Sequence, residues 1–134
     1  MDKPHNPTIL NNGNVLVFDN GWKRRHYSRI VEVEPSTGEI VWLYEGDPRG
    51  EFFCPKMGGN QRLPNGNTLI TDSYRGAVFE IQSDGRKVWE FRNPVVNHGR
   101  RAVIYRMTRI VEPNRYPCLK QLAGPKSTGG RGED

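Results

Sequence analysis

Long apolar runs are missing from this 134-residue chain, and so are sustained helical patterns. No segment approaches the roughly 20 apolar residues that a membrane-spanning helix needs, and the first residues lack the apolar run of a signal peptide. Cysteine occurs only twice, at Cys54 and Cys118, and neither lies in a CxxC or Cys/His spacing. Two cysteines exclude a disulfide framework, and free thiols are expected in preference to a single bridge. No GxGxxG, Walker, HExxH or GxSxG pattern occurs, and no stretch interleaves basic and aromatic residues as a single-strand binding platform does. No metal, cofactor, nucleic acid or membrane partner is therefore expected.

Turn formers are abundant instead. Glycine (15) and proline (10) fall at intervals between short runs of Val, Ile, Leu, Phe and Trp, the pattern of a turn-rich β protein. The formal charge is +5 and the pI near 9.5. Much of the excess sits in Lys23, Arg24 and Arg25 and in Arg100, Arg101, Arg106 and Arg109, which makes anionic partners plausible without specifying nucleic acid.

A repeat organises the chain. LNNGNVLVFD (Leu10 to Asp19) matches LPNGNTLITD (Leu63 to Asp72) at an offset of 53, and IVEVEPSTGEIVWLY (Ile30 to Tyr44) parallels VFEIQSDGRKVWEF (Val78 to Phe91), with the tryptophans 47 apart. Most of the contraction falls in the loop from Asn20 to Ser28, which the second copy shortens to Ser73–Gly76. Each unit reads as four short strands. The first precedes an Asn-Gly turn, at Asn12-Gly13 or Asn65-Gly66, where glycine supplies the positive φ of a tight hairpin. The others are expected at Val15–Phe18, Arg29–Val33 and Ile40–Tyr44, and again at Thr68–Thr71, Ala77–Ile81 and Lys87–Phe91.

Four antiparallel strands recurring every 47 to 53 residues, with a tryptophan on the last, is the signature of a β-propeller blade. The fold class expected is all-β: a propeller segment of two four-stranded antiparallel blades plus a partial third. The boundaries are a blade over 4–54, a blade over 55–97, a partial blade or terminal strand over 98–122, beginning with a strand at Arg101–Ile110, and a disordered tail over 123–134. Propellers close with four to eight blades. The expectation is therefore the C-terminal part of a longer protein, with self-association into a ring and an incomplete sheet stack as alternatives.

His5-Leu10 (HNPTIL), GNVLVFDNG (Gly13 to Gly21), YSRIVEVE (Tyr27 to Glu34) and Trp42 together resemble the late-blade motif of bacterial arylsulfotransferases, which are six-bladed propellers. GGNQRLPNGNTLITD (Gly58 to Asp72) is similar to the blade that follows. RAVIYRMTR (Arg101 to Arg109) and Tyr116-Pro117-Cys118-Leu119 are similar to the terminal strand and its Tyr-Pro-Gly-Leu ending, with Cys118 in the glycine's place. The resemblance covers residues 4 to 122 and implies sulfuryl transfer from a phenolic sulfate ester to a phenol, by a ping-pong route without a nucleotide donor. It places His5 at the histidine that carries the sulfuryl group, a role that a neutral imidazole suits near pH 7. Further histidines and an arginine, which the family draws from preceding blades to stabilise charge, are not in this chain, so the active site is expected to be incomplete. Members of the family are exported, which implies a periplasmic or secreted location.

Other residues read more blandly. Arg100 and Arg101 are candidate substrate-binding cations, with a solvated face as the default. Asp19 and Asp72 are expected to be structural, accepting N–H bonds of the turn that follows each. Trp42, Trp89, Phe18, Phe79 and Phe91 are expected in the core between blades, and His26 and His98 in loops. A non-enzymatic propeller module and a basic anion-binding protein are the alternatives from other functional classes.

Overall fold

The computed structural model describes residues 1–120. The expected tail over 123–134, and the last two residues of the expected terminal strand, lie outside the described residues. Eight strands form two antiparallel sheets in sequential order. The first contains β1 (Pro4–Ile9), β2 (Val15–Asp19), β3 (Arg29–Val33) and β4 (Ile40–Tyr44). The second contains β5 (Gly59–Arg62), β6 (Thr68–Asp72), β7 (Ala77–Ile81) and β8 (Lys87–Arg92). The Asn-Gly hairpins form at the expected residues. Gly13 (φ 85°) and Gly66 (φ 86°) take the left-handed conformation the turns require, and Leu10 and Leu63 close the two hairpins with N–H bonds of 2.8 Å.

The two sheets pack face to face. Leu16, Phe18 and Ile30 of the first meet Ile70, Phe79 and Ile81 of the second, with Trp42 and Tyr44 against the cluster. Between the sheets, the connection from β4 to β5 turns inward and places Phe52 and Cys54 in the core. Phe52 lies edge-on to Phe18 at 5.5 Å and to Phe79 at 5.8 Å, so one loop residue ties the two faces together. Gly58 (φ +98°) lies where any Cβ would come within 2.8 Å of the Phe18 ring. Gly58→Ala is expected to cost about 2–4 kcal/mol through backbone strain and displacement of that ring, measured by urea unfolding.

Strand β9 (Val96–Asn97) and β10 (Arg100–Arg101) make a separate two-stranded ribbon turning at His98-Gly99. The expected strand over Arg101–Ile110 is a correction: ladder pairing extends only to Arg101, and residues 102–110 carry none. Among the described residues there is no second strand beside them, so side chains of the second sheet satisfy their backbone. Thr71 Oγ1 accepts the Met107 N–H at 3.1 Å, Gln61 Oε1 accepts the Arg109 N–H at 2.8 Å, and Ser73 Oγ donates to the Tyr105 carbonyl at 2.9 Å. Ile104 and Met107 then cover Leu63, Leu69 and Val78. The chain ends its described course in a short helix, α1 (Pro117–Lys120).

Trp89 and Phe91 were expected in the core, and the structure corrects this. Trp89 is 40% exposed and Phe91 38%, because segment 104–110 lies mainly over the inner strands of that face and reaches β8 through Arg109 at Trp89. On the far face of the first sheet, Ile9 (82% exposed), Val41 and Leu43 are similarly uncovered. Among the described residues, no further element covers these outer faces of the two sheets.

Candidate functional site

His5 stands on β1, opposite Phe18 in the ladder, and its side chain is half-buried. The register slips between His5 and Thr8, a bulge in which Asn6 adopts φ 48°. Such a bulge re-aims the side chains beside it. Asn6 is fixed by a reciprocal bond with β5: its Nδ2 donates to the Asn60 carbonyl at 3.2 Å, and Asn60 Nδ2 donates to the Asn6 carbonyl at 3.0 Å. The first strands of the two sheets are thereby locked side by side next to His5. Among the described residues, no hydrogen bond holds either nitrogen of the His5 ring.

Arg100 is exposed, and Arg101 lies half-buried on the ribbon, where its guanidinium donates to the Asn93 carbonyl. No recorded contact joins either arginine to His5. His98 lies at the ribbon turn, with φ 50°, and His26 packs edge-on against Phe53 at 6.1 Å.

Residues that carry the family resemblance turn out to bind the sheets together. Asp19, fully buried, pairs with Arg25 Nη2 at 2.8 Å and Arg29 Nε at 2.9 Å, and it accepts the backbone N–H of Asp2 at 2.6 Å. Burial opposes its ionisation, but these donors outweigh the burial and hold its carboxyl below the usual range. Asn20 Nδ2 donates to the carbonyls of Cys54 (2.6 Å) and Met57 (2.8 Å), while Ser28 Oγ donates to the Asn20 carbonyl and accepts the Cys54 N–H. The FDNG and YSR strings therefore strap the inter-sheet connection to the first sheet. Cys54 is buried and its thiol pushed up to about 12 by that burial, which leaves it a poor nucleophile. Cys118 is a free, exposed thiol.

A second device repeats between neighbouring elements and was not anticipated. Glu32 accepts from Asn12 and Asn14 of the hairpin tip (3.0 and 2.8 Å) and pairs with Arg62 of β5 at 2.9 Å; the Arg62 guanidinium lies 4.6 Å above Trp42. Glu80 likewise accepts from Asn67 at 2.6 Å and pairs with Arg109, which lies 5.4 Å from Trp89. Arg62 and Arg109 are 47 residues apart, the same offset as the two tryptophans. Segment 104–110 thus meets the second sheet as β5 meets the first. It takes over the second sheet the place that β5 takes over the first, without ladder pairing of its own.

Asp72, the repeat mate of Asp19, has the opposite electrostatics. It accepts one N–H from the turn that follows, that of Arg75 at 3.4 Å, and its nearest cation, Arg75 Nε, is 4.0 Å away. Burial dominates and pushes its carboxyl up to about 6. The folded state therefore holds this proton more tightly than the unfolded chain does, and stability falls as pH rises from about 4 to about 6. Asp72→Asn is expected to flatten the stability profile in that window and to raise stability at pH 7 by on the order of 2 kcal/mol, measured by denaturant unfolding across pH.

Among the described residues, no group of three His, Cys, Asp or Glu side chains is placed to hold a metal ion, and no helix is long and apolar enough to cross a membrane. A solved structure similar in fold is that of a protein of unknown function from Bacteroides caccae. The TM-score is 0.50, and 25% of residues are identical over 66% of this chain and 31% of that one. The chain thus spans less than a third of that protein's length. No curated protein matches the chain. A family model described as arylsulfotransferase (ASST) matches residues 3–94, a stretch that contains His5, both sheets and both copies of the hairpin motif. With well over half of its length matched, the chain belongs to the arylsulfotransferase family.

Proposed function

We propose that this protein takes part in sulfuryl transfer between a phenolic sulfate ester and a phenol, with His5 as the covalent carrier. The observation that carries the reading is the placement of His5. It lies within the matched stretch, half-buried on an inner strand, beside a bulge anchored by the Asn6–Asn60 pair. In the first half-reaction a neutral ring nitrogen attacks sulfur, an N–S bond forms, and the S–O bond to the aryl oxygen breaks as phenolate leaves with the electron pair. In the second, the acceptor phenol oxygen attacks sulfur, the N–S bond breaks, its electron pair returns to the ring, and the phenolic proton passes to solvent.

Cationic groups must meet the charge that develops on the departing oxygen. Further blades, packed on the uncovered faces at Ile9–Leu43 and Trp89–Phe91, would close the propeller and bring such groups to His5. Such blades would be supplied by a longer polypeptide or by associated copies of the chain. The protein's mass by size-exclusion light scattering is the first measurement. In a closed assembly, 4-nitrophenyl sulfate with a second phenol is expected to give a burst of nitrophenolate and ping-pong steady-state kinetics; absence of both in that assembly removes the reading.

A non-enzymatic scaffold is the second reading, favoured by the structural employment of the motif residues Asp19, Asn20, Ser28 and Arg29. It predicts no nitrophenolate release from any assembly.

A further inference from the structure

The two repeat-mate aspartates differ in one respect that exposes a vacancy. In the first sheet Asp19 faces Arg29 across the ladder, and the loop after β2 delivers Arg25; the two guanidinium groups stand 2.9 and 2.8 Å from the carboxylate. In the second sheet Asp72 faces Ala77 at the same ladder position, and the shortened turn Ser73–Gly76 delivers nothing closer than Arg75 at 4.0 Å. Asp72 is nonetheless 3% exposed. A buried carboxylate thus retains the geometry of its mate and lacks the two cations that match it.

Asp72 and Ala77 both line a cleft of about 820 Å³ to which Leu43–Asp47, at the end of β4 and just after it, and Lys87, Glu90 and Arg92 of β8 also contribute. Tyr44, Phe52 and Phe79 give the cleft an aromatic wall, and Asp47 and Glu51 add negative charge to its lining. Most of the cations that line it already have partners, and Lys87 lies 4.7 Å over the Phe79 ring. Lys87 and Arg92 pair with Glu90, Arg86 donates to Gln82, and Arg101 donates to Asn93. Arg75 is half-exposed and also donates to the Gly50 carbonyl at 3.4 Å.

We propose that this cleft is a binding site for an alkylguanidinium group, whose planar head takes the places around Asp72 that Arg25 and Arg29 fill around Asp19. A guanidinium fork matches a carboxylate in two parallel hydrogen bonds, and its flat face and alkyl stem suit aromatic walls. The site lies on the second sheet and is independent of His5 chemistry.

Calorimetric titration of the full chain with agmatine tests this at pH 7.5. Saturable binding is expected, weakened about tenfold or more in Asp72→Asn by loss of the charged partner. In Ala77→Arg it is expected to vanish, because the introduced guanidinium fills the site from within. His5→Gln should bind agmatine as the wild type does. Binding should also strengthen between pH 5 and pH 7.5 as Asp72 ionises, with Arg75, Lys87, Tyr44 and Cys54 as the other titratable groups about it. Comparing agmatine with N-acetylargininamide tells a free small molecule from an arginyl peptide as the source, and tighter binding of either supports the site. No saturable binding, or equal binding by wild type and Ala77→Arg, overturns the proposal, and the second criterion does not depend on the Asp72→Asn variant.

Discussion

His5→Gln is expected to remove sulfuryl transfer from a closed, active assembly, lowering kcat/KM by at least about three orders of magnitude while leaving the unfolding midpoint near the wild-type value. The two halves of this prediction have separate physical sources. A glutamine amide nitrogen has no available lone pair for an N–S bond, so the two-step route is lost at its first step. The side chain at position 5 is half-buried and, among the described residues, no hydrogen bond holds the ring, so the fold loses little when it goes. His5→Gly adds a discriminating arm: external imidazole is expected to restore part of the nitrophenolate release by entering the vacated space. A histidine that only shaped the strand would give neither the kinetic loss nor the rescue.

Asp19→Ala is expected to lower the unfolding free energy by about 3–5 kcal/mol, the usual penalty for removing one partner of a buried ionic cluster. Arg25 and Arg29 would be left largely buried without their carboxylate, and the Asp2 N–H would lose its acceptor. Because the Asp19 carboxyl is held below its ordinary value, its contribution is present above about pH 4 and is lost as pH falls through the lowered value. The acid limb of the stability profile should therefore flatten in Asp19→Ala, measured by urea unfolding at several pH values. Asp72→Asn should move stability in the opposite direction at neutral pH, though the two aspartates occupy matching places in the repeat. Equal effects at the two positions would contradict the contrast drawn between them.

The strands were legible in the sequence because three signals coincided at each: apolar runs of strand length, Asn-Gly or Gly-containing turns at their ends, and a second copy repeating both. Arg29–Val33 and Ala77–Ile81 are formed over the residues expected of them. The latches formed by Glu32, Arg62 and Trp42 and by Glu80, Arg109 and Trp89 were not seen. Each glutamate and its arginine lie 30 or 29 residues apart and meet only when the next element docks on the sheet, and an arginine taken alone reads as a solvated charge. The 47-residue spacing of Arg62 and Arg109 was the available signal. Trp89 reads with Trp42, Phe18, Phe79 and Phe91 as core between blades, but the elements that cover Trp42 have no full counterpart over β8 among the described residues. The aspartates were legible as a repeated pair and misleading as one, since Arg25 belongs to the single loop that differs most between the copies.

The candidate site was readable only through the family motif. Composition and spacing make His5 one polar residue on a strand, and the bulge and the Asn6–Asn60 lock that position it arise from packing against β5. The motif residues themselves proved to be straps of the inter-sheet connection. Family membership and catalytic competence are therefore separate questions for this chain, and the covalent step divides them.

The most direct measurement is peptide mass mapping of the closed assembly after incubation with 4-nitrophenyl sulfate and no acceptor phenol. One sulfuryl group is expected on the peptide containing His5, discharged when a phenol is added and absent from His5→Gln. Nitrophenolate release with the sulfuryl group on another residue, or an assembly that remains unmodified, would contradict it.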